Sequence, residues 1–175
     1  MVKFFIFSLF FSMYINAHAL SRVGVAKVYS QGKIICFTIQ REEFQRAAQN
    51  IIYFFGYSIN KKTEDQWETV WGYYTKTPAP LKEGECIAYG VLPEWGVPEN
   101  NRQGIQLPTI APALRTNIIY SLSIRGHANI DYDPTSGYAI LFCLQEKDRA
   151  IIIRQGRGNY ASCDQLNSRQ LKPVD

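Results

Sequence analysis

Hydrophobic and polar residues alternate with a period of two along much of the chain. In residues 66–74, QWETVWGYY, one side is occupied by Trp67, Thr69, Trp71 and Tyr73. A two-residue period is typical of a β-strand with one buried face. By this pattern, or as apolar runs bounded by turn residues, we predict further strands at 23–30, 33–40, 51–59, 86–92, 116–124, 137–145 and 149–156.

The segments between these strands carry turn chemistry rather than helical periodicity. Only residues 41–50, REEFQRAAQN, have helical character, with Phe44, Ala47 and Ala48 on one side. Residues 75–85 and 93–115 are Pro-rich and are predicted to be loops. About eight strands and one short helical segment indicate an all-β fold, for which we expect an antiparallel, immunoglobulin-like β-sandwich. A small closed barrel is the alternative.

The first residues differ from the rest of the chain. Lys3 is followed by an apolar run from Phe4 to Ile15, and the segment ends in small residues at Ala17 and Ala19. This arrangement is typical of a secretory signal peptide, and the apolar run is too short to be a membrane anchor. We therefore predict a signal peptide at 1–19, cleavage near Ala19, and a single exported domain at 20–175 without a membrane span.

Charge and cysteine content indicate which class of partner and which redox compartment fit this chain. Without Lys3 the chain keeps 18 of its 19 basic residues against 15 acidic ones, a formal charge of +3. The charges are scattered, which argues against binding to nucleic acid. An even number of cysteines in an exported protein indicates disulfides. The four cysteines lack C-x-x-C spacing, so we expect no metal site from them and two bridges among Cys36, Cys86, Cys143 and Cys163.

The inventory of reactive groups is small. Beyond the predicted signal peptide the only histidine is His127, in a Gly-containing segment that favours a solvated or capping role. The carboxylate pairs at 42–43, 64–65 and 131/133 lie in polar connections, where turn roles are more common than catalysis. Asp131 and Asp133 lack the other ligands of a calcium loop. We therefore expect no enzyme activity, no catalytic residue, no cofactor and no metal.

Aromatic residues are abundant enough to suggest a binding surface. Tyr and Trp anchor many protein interfaces. We expect Trp67 and Trp71 to face the core, whereas Trp95 lies in the Pro-bounded loop LPEWGVPENN with charges around it. The sequence therefore predicts a protein-binding loop, with its contacts at Trp95, Glu94, Glu99 and Arg102.

Several stretches together resemble a family of small Gram-negative periplasmic proteins, mostly lipoproteins, assigned to type VI secretion immunity. The matching pieces are KIICFTI, LKEGECIAYG, TNIIYSLSI, YAILFCL and NYASCD, spread over about residues 23–165. The resemblance implies a periplasmic protein that binds and neutralises a toxic effector, and it implies no catalytic residues. This signal ends in AHA instead of a lipobox cysteine, so the resemblance extends to the periplasm but not to a lipid anchor.

The sequence leaves the disulfide pairing and a second function open. We prefer Cys36–Cys86 with Cys143–Cys163, because the tail can fold back on the last predicted hairpin. The rival is a Cys36–Cys143 disulfide between two sheets, as in immunoglobulin domains. That fold has a tyrosine two residues before the second cysteine, whereas this chain has Leu141 there, which argues against the rival. The alternative function is a structural surface subunit, pilus-like or adhesin-like, which needs an unpaired edge and a donor strand near the N-terminus.

Overall fold

Nine strands make up most of the computed structural model, which describes residues 22–64, 66–101, 103–128, 134–148 and 150–166. The strands are β1 (Arg22–Gln31), β2 (Ile34–Ile39), β3 (Ile51–Lys62), β4 (Trp67–Lys82), β5 (Ile87–Ala88), β6 (Gly96–Pro98), β7 (Ile119–Ala128), β8 (Thr135–Lys147) and β9 (Ala150–Gly156). The one α-helix is α1 (Arg41–Arg46), and 3-10 turns occupy Ala48–Asn50 and Cys163–Gln165. The all-β class and the short helical segment are confirmed. The predicted signal peptide, Arg102, Asp131 and Asp133 lie outside the described residues.

All nine strands belong to one hydrogen-bonded sheet with the order β5-β2-β1-β8-β7-β3-β4-β6, and β9 pairs with β8. Every pairing is antiparallel except that of β1 with β8, which is parallel. The expected antiparallel, immunoglobulin-like sandwich is therefore not confirmed. A parallel pair needs no hairpin, so strand periodicity alone gives no sign of it.

The sheet curls so that β2 packs over its central strands. The Phe37 ring on β2 lies 5.1 Å from the Tyr57 ring on β3 and 6.1 Å from the Phe142 ring on β8, centroid to centroid. All three side chains are buried. Because burial of apolar area drives folding, this aromatic layer inside the curl is the main core. The side of β3, β4, β7 and β8 that faces away from it is called the outer face below.

β1 takes part in two different pairings along its length. Its first residues pair with β8, and residues from Ala26 onward pair with β2. Where β1 leaves the edge of β8, the Gln155 side chain of β9 accepts a hydrogen bond from the Val28 N–H (2.9 Å) and donates one to the Val28 carbonyl (3.1 Å). The Gln155 side-chain amide thus makes the two backbone hydrogen bonds that a neighbouring strand would otherwise make to Val28. A donor strand of the pilus kind would have to be free, whereas β1 is paired within its own chain.

The helix α1 is fixed by one buried acidic residue. Glu43 is almost fully buried and its carboxylate contacts the guanidinium of Arg22, while Arg46 lies 3.6 Å away. The other carboxylate oxygen accepts a hydrogen bond from the Val25 N–H (3.2 Å). A buried charge needs such partners. Glu43 belongs to one of the carboxylate pairs considered above, and it is held in an ion-pair network that fastens α1 to the start of β1.

Strand β4 departs most from its prediction. It continues to Lys82, through the segment predicted to be a loop, because prolines are tolerated at strand edges and bulges. A register shift opposite Ile59 and Asn60 places Trp67 and Trp71 on opposite sides of the sheet, although the simple alternation puts them on one side. Trp71 is in the main core, as expected. Trp67 packs at the edge of a smaller cluster on the outer face.

Two disulfides staple the fold with the preferred pairing. Cys36 is bonded to Cys86 and Cys143 to Cys163, so the predicted pairing is confirmed and the Cys36–Cys143 rival is wrong. The second bridge holds residues 163–166 against the outer face. There it forms the small cluster of Ile119, Cys143, Cys163 and Leu166, with Trp67, Leu141 and Tyr160 at its edge. Within the described ranges, no helix is long and apolar enough to cross a bilayer.

Candidate protein-binding surface

Trp95 projects from a tight turn immediately before β6. The Gly96 N–H donates a hydrogen bond to the Pro93 carbonyl (2.8 Å), which makes Glu94 and Trp95 the two central residues of a β-turn. Side chains at these positions point away from the chain that the turn closes. Trp95 is 53% exposed, an unusual value for a tryptophan, and Glu94 is also exposed.

A groove of about 640 Å³ lies beside this turn. Its walls come from the turn and β6 on one side and from residues 76–80 of β4 on the other. β6 pairs with only three residues of β4, from Tyr73 to Thr75, so the β4 edge beyond Thr75 has no strand neighbour there among the described residues. The lining is mostly apolar and is rimmed by Lys76 and Glu94. A cavity of this size can hold a large side chain of a partner.

A large bulge in β4 shapes the floor of the groove. Residues 75–78 stand opposite a single residue of β3, Phe55, between the Gly56–Tyr74 and Phe54–Ala79 pairs. The buried Thr75 hydroxyl donates to the Thr77 carbonyl (2.8 Å), which satisfies a backbone group that the bulge removes from the ladder. Bulges re-aim side chains and end pairing at sheet edges. Here the bulge ends the pairing with β6 and opens the groove.

Glu99 has a different role from Glu94 and Trp95. Its carboxylate forms a 2.8 Å ion pair with Arg125 on the outer face and is only 16% exposed. Its N–H donates to the Gly72 carbonyl (2.9 Å), and its own carbonyl accepts from the Leu107 N–H (2.8 Å). Glu99 therefore closes the base of the long loop that follows β6. The structure brings Glu94 and Trp95 together and places Glu99 beyond the opposite end of β6.

The long loop after β6 is fastened to the core by aromatic side chains. The Trp71 Nε1–H donates to the Pro108 carbonyl (2.9 Å), and the Tyr89 hydroxyl donates to the Pro112 carbonyl (2.6 Å). Near its end, the Tyr120 hydroxyl accepts from the Arg115 N–H (2.9 Å). Sequence reasoning missed these anchors. The signal for them was the number of Trp and Tyr residues, because such rings need a hydrogen-bond partner when buried.

The anchors leave two isoleucines of the loop exposed. At its tip, the Asn101 Oδ1 accepts hydrogen bonds from the Gln103 N–H (3.0 Å) and the Ile105 N–H (2.9 Å), which forms a local Asx-type turn. Ile105 is 62% exposed and Ile110 is 82% exposed. The loop therefore presents aliphatic side chains on a backbone held at both ends.

The tyrosines beneath the loop are held in the neutral form. Burial raises the pKa of Tyr73 to about 12 and that of Tyr89 to about 12, and it raises the pKa of Tyr57 further still. Desolvation disfavours the phenolate in each case. Tyr73 and Tyr89 pack edge-to-face against Trp71, and Tyr57 packs against it at a tilted angle. Their shifted pKa values are a property of the core and need no catalytic role.

His127 lies on the outer face among aromatic rings. Its imidazole is 5.8 Å from the Tyr53 ring and 5.3 Å from the Phe55 ring, and its Nδ1 is 3.2 Å from the Ala128 carbonyl oxygen. The side chain itself is exposed. Within the described residues no group of three or more His, Cys, Asp or Glu side chains is placed to hold a metal ion.

Comparison with known proteins adds no family to this description. No protein-family model, no curated protein and no solved structure matches the chain.

Proposed function

We propose that this protein is a periplasmic immunity-type binding protein that neutralises a type VI secretion effector by stoichiometric binding. The observation that carries the proposal is the exposed turn at Glu94 and Trp95, which overhangs a groove on a disulfide-stapled sheet. A solvent-exposed tryptophan beside an apolar groove is the kind of group that anchors a protein interface. The resemblance of the sequence to periplasmic immunity proteins supplies the class of partner.

The surface is suited to tight binding because little of it has to become ordered. The Trp95 turn is closed by its own backbone hydrogen bond, and the neighbouring loop is tied to Trp71 and Tyr89. Association loses free energy whenever a loop or a side chain must be immobilised. A surface that is already fixed avoids part of that loss, which favours neutralisation by a persistent complex.

Export fits the cysteine chemistry. Both disulfides indicate an oxidising compartment. With a signal peptide cleaved after Ala19, the secreted chain begins at Leu20. Sequencing the N-terminus of material from the periplasm checks this; a stable product that retains Met1 in the cytoplasm contradicts it.

The function is tested with the product of a neighbouring toxin-like reading frame, directed to the periplasm of a susceptible host. We expect survival only when this protein is co-produced in at least equimolar amount, and a 1:1 complex by light scattering. His127→Ala is expected to protect as well as the unmodified chain, because binding needs no proton transfer. Protection at far below equimolar amounts, or loss of protection in His127→Ala with the complex intact, would show chemistry instead of binding.

A further inference from the structure

The β4 edge and the β9 edge of the sheet are protected in different ways. On the β4 side, the residues beyond β6 include Pro78 and Pro80, which carry no N–H and cannot donate to an added strand. Prolines and very short edge strands are common means of preventing unwanted strand pairing. The three-residue β6 and these two prolines together close that edge.

The edge formed by β9 has neither device. Its sequence, AIIIRQG, contains no proline and three consecutive β-branched residues. β9 pairs with β8 on one side, and within the described residues no strand forms a ladder with its other side. Ile151 is 53% exposed. Such an edge is a template for pairing with another chain.

The open part of β9 has a defined length. Its C-terminal end is occupied, because the Gln155 amide is bonded to Val28 of β1. The free stretch therefore runs over residues 150–154. At about 3.3 Å per residue this is roughly 16 Å, enough for one short added strand.

Arg154 gives this edge a charge preference. It stands opposite Cys143 in the ladder, so its side chain is on the outer face beside the Cys143–Cys163 bridge. Its Nε is buried without a hydrogen bond, and no acidic side chain in the described part of the chain forms an ion pair with its guanidinium. Arg154 as a whole is only partly buried, so a carboxylate on an added strand would pair with its guanidinium through a charge-assisted bond.

We infer that β9 binds an extended strand of the protein partner and that this strand places a Glu or Asp side chain against Arg154. Main-chain hydrogen bonds along residues 150–154 supply affinity, as in other cases of β-strand addition. The carboxylate supplies register and selects against basic strands. The inference rests on the proposed function for the existence of a protein partner, and it names a second contact surface besides the Trp95 groove.

The probe is a disulfide-cyclised β-hairpin peptide whose free edge strand alternates Val and Thr around a central Glu, with a matched hairpin carrying Lys there. Binding to the full secreted chain is measured by calorimetry, and β9 amide protection by hydrogen exchange. We expect the Glu hairpin to bind at least about tenfold more tightly and to protect the amides of residues 150–154. Arg154→Glu reverses the preference, and Arg154→Met removes it.

Ile151→Lys is expected to abolish binding of both hairpins, because charges on an edge strand oppose pairing. Ile34→Lys is the matched control, since Ile34 is 51% exposed and lies on a different strand. Melting temperatures of all four variants identify any that fail to fold, and Arg154→Met carries the charge test if Arg154→Glu unfolds.

Four results would overturn the inference. They are equal binding of the two hairpins, binding that survives Ile151→Lys, self-association of the chain through β9, and β9 amides that lose protection when the chain is ended after Leu166. The last two would show that a second copy or the chain's own C-terminal residues occupy the edge. Effector neutralisation that depends on Trp95 but not on Ile151 would leave the proposed function standing without this inference. If the hairpins bind as expected but no effector is neutralised, the inference about β9 would stand and the proposed function would fail.

Discussion

Removal of the Cys36–Cys86 bridge tests how the fold is stabilised. The bridge closes a loop with a sequence separation of 50 residues, whereas Cys143–Cys163 closes one of 20. Loop-closure entropy in the unfolded chain then corresponds to about 4 kcal/mol for the first bridge and about 3 kcal/mol for the second. Cys86 is exposed, so the Cys36→Ala/Cys86→Ala variant loses packing contacts only at Cys36.

We therefore expect this variant to lose about 4 kcal/mol of unfolding free energy, a large part of the roughly 5–15 kcal/mol that is typical of domains. The Cys143→Ala/Cys163→Ala variant is the comparison. Its loop term is smaller, but both sulfurs are buried, so a packing loss of about 1 kcal/mol brings its total close to that of the first.

Urea unfolding followed by tryptophan fluorescence and by circular dichroism gives both values, provided that the two probes coincide. Reduction of the unmodified chain supplies a control in which the sulfurs remain in place. A loss below about 2 kcal/mol for Cys36→Ala/Cys86→Ala would refute the loop argument. It would mean that the unfolded chain already holds β2 and β5 together, or that the bridge destabilises the native state.

Three further outcomes follow from the geometry. Trp95→Ala should weaken the complex with the effector by about 2 kcal/mol or more without changing the melting temperature, and Ile34→Ala is the equally exposed control. A lower melting temperature with unchanged affinity would instead mean that the ring supports the core. Glu43→Gln should lower stability by about 2 kcal/mol in urea titrations, less than for a fully buried pair because Arg22 stays partly exposed; no loss would mean that the ion pair contributes nothing. Because the pKa values of Tyr73 and Tyr89 are raised, the folded chain keeps protons that the unfolded chain releases, so the free energy of unfolding should fall as pH rises from 10 to 12. A free energy of unfolding that stays constant over that range would contradict the shifts.

The pattern of the sequence predicts the strands and the staples better than it predicts their arrangement. The two disulfides follow from the position of the last cysteine after a hairpin, and the short helix follows from Phe44 and Ala47. By contrast, the bulge near Val70 places Trp67 and Trp71 on opposite faces, because one extra residue shifts a period of two. The continuation of β4 through Pro78 and Pro80 was missed for a related reason: edge position is a tertiary property.

The candidate surface was predicted in part. The Pro-bounded loop LPEWGVPENN indicates an exposed Trp95, and the ring is exposed; its contact with a partner stays a prediction. Glu99 could not be separated from Glu94 by sequence, because only the fold brings Arg125 to it. The open edge at β9 was not predicted either, since a hydrophobic strand looks the same in the centre of a sheet and at its margin.

The parallel pairing of β1 with β8 also determines when β1 can complete its pairing during synthesis. Arg22 meets Thr135 across a sequence separation of 113 residues, so the first strand waits until most of the chain has been synthesised. At ribosomal speeds of about 5–20 residues per second, that interval lasts roughly 6–23 seconds. During this time β1 has only its hairpin partner β2, and such non-local pairing slows folding. The parallel pairing of the N-terminal strand is consequently formed only after β8 has left the ribosome.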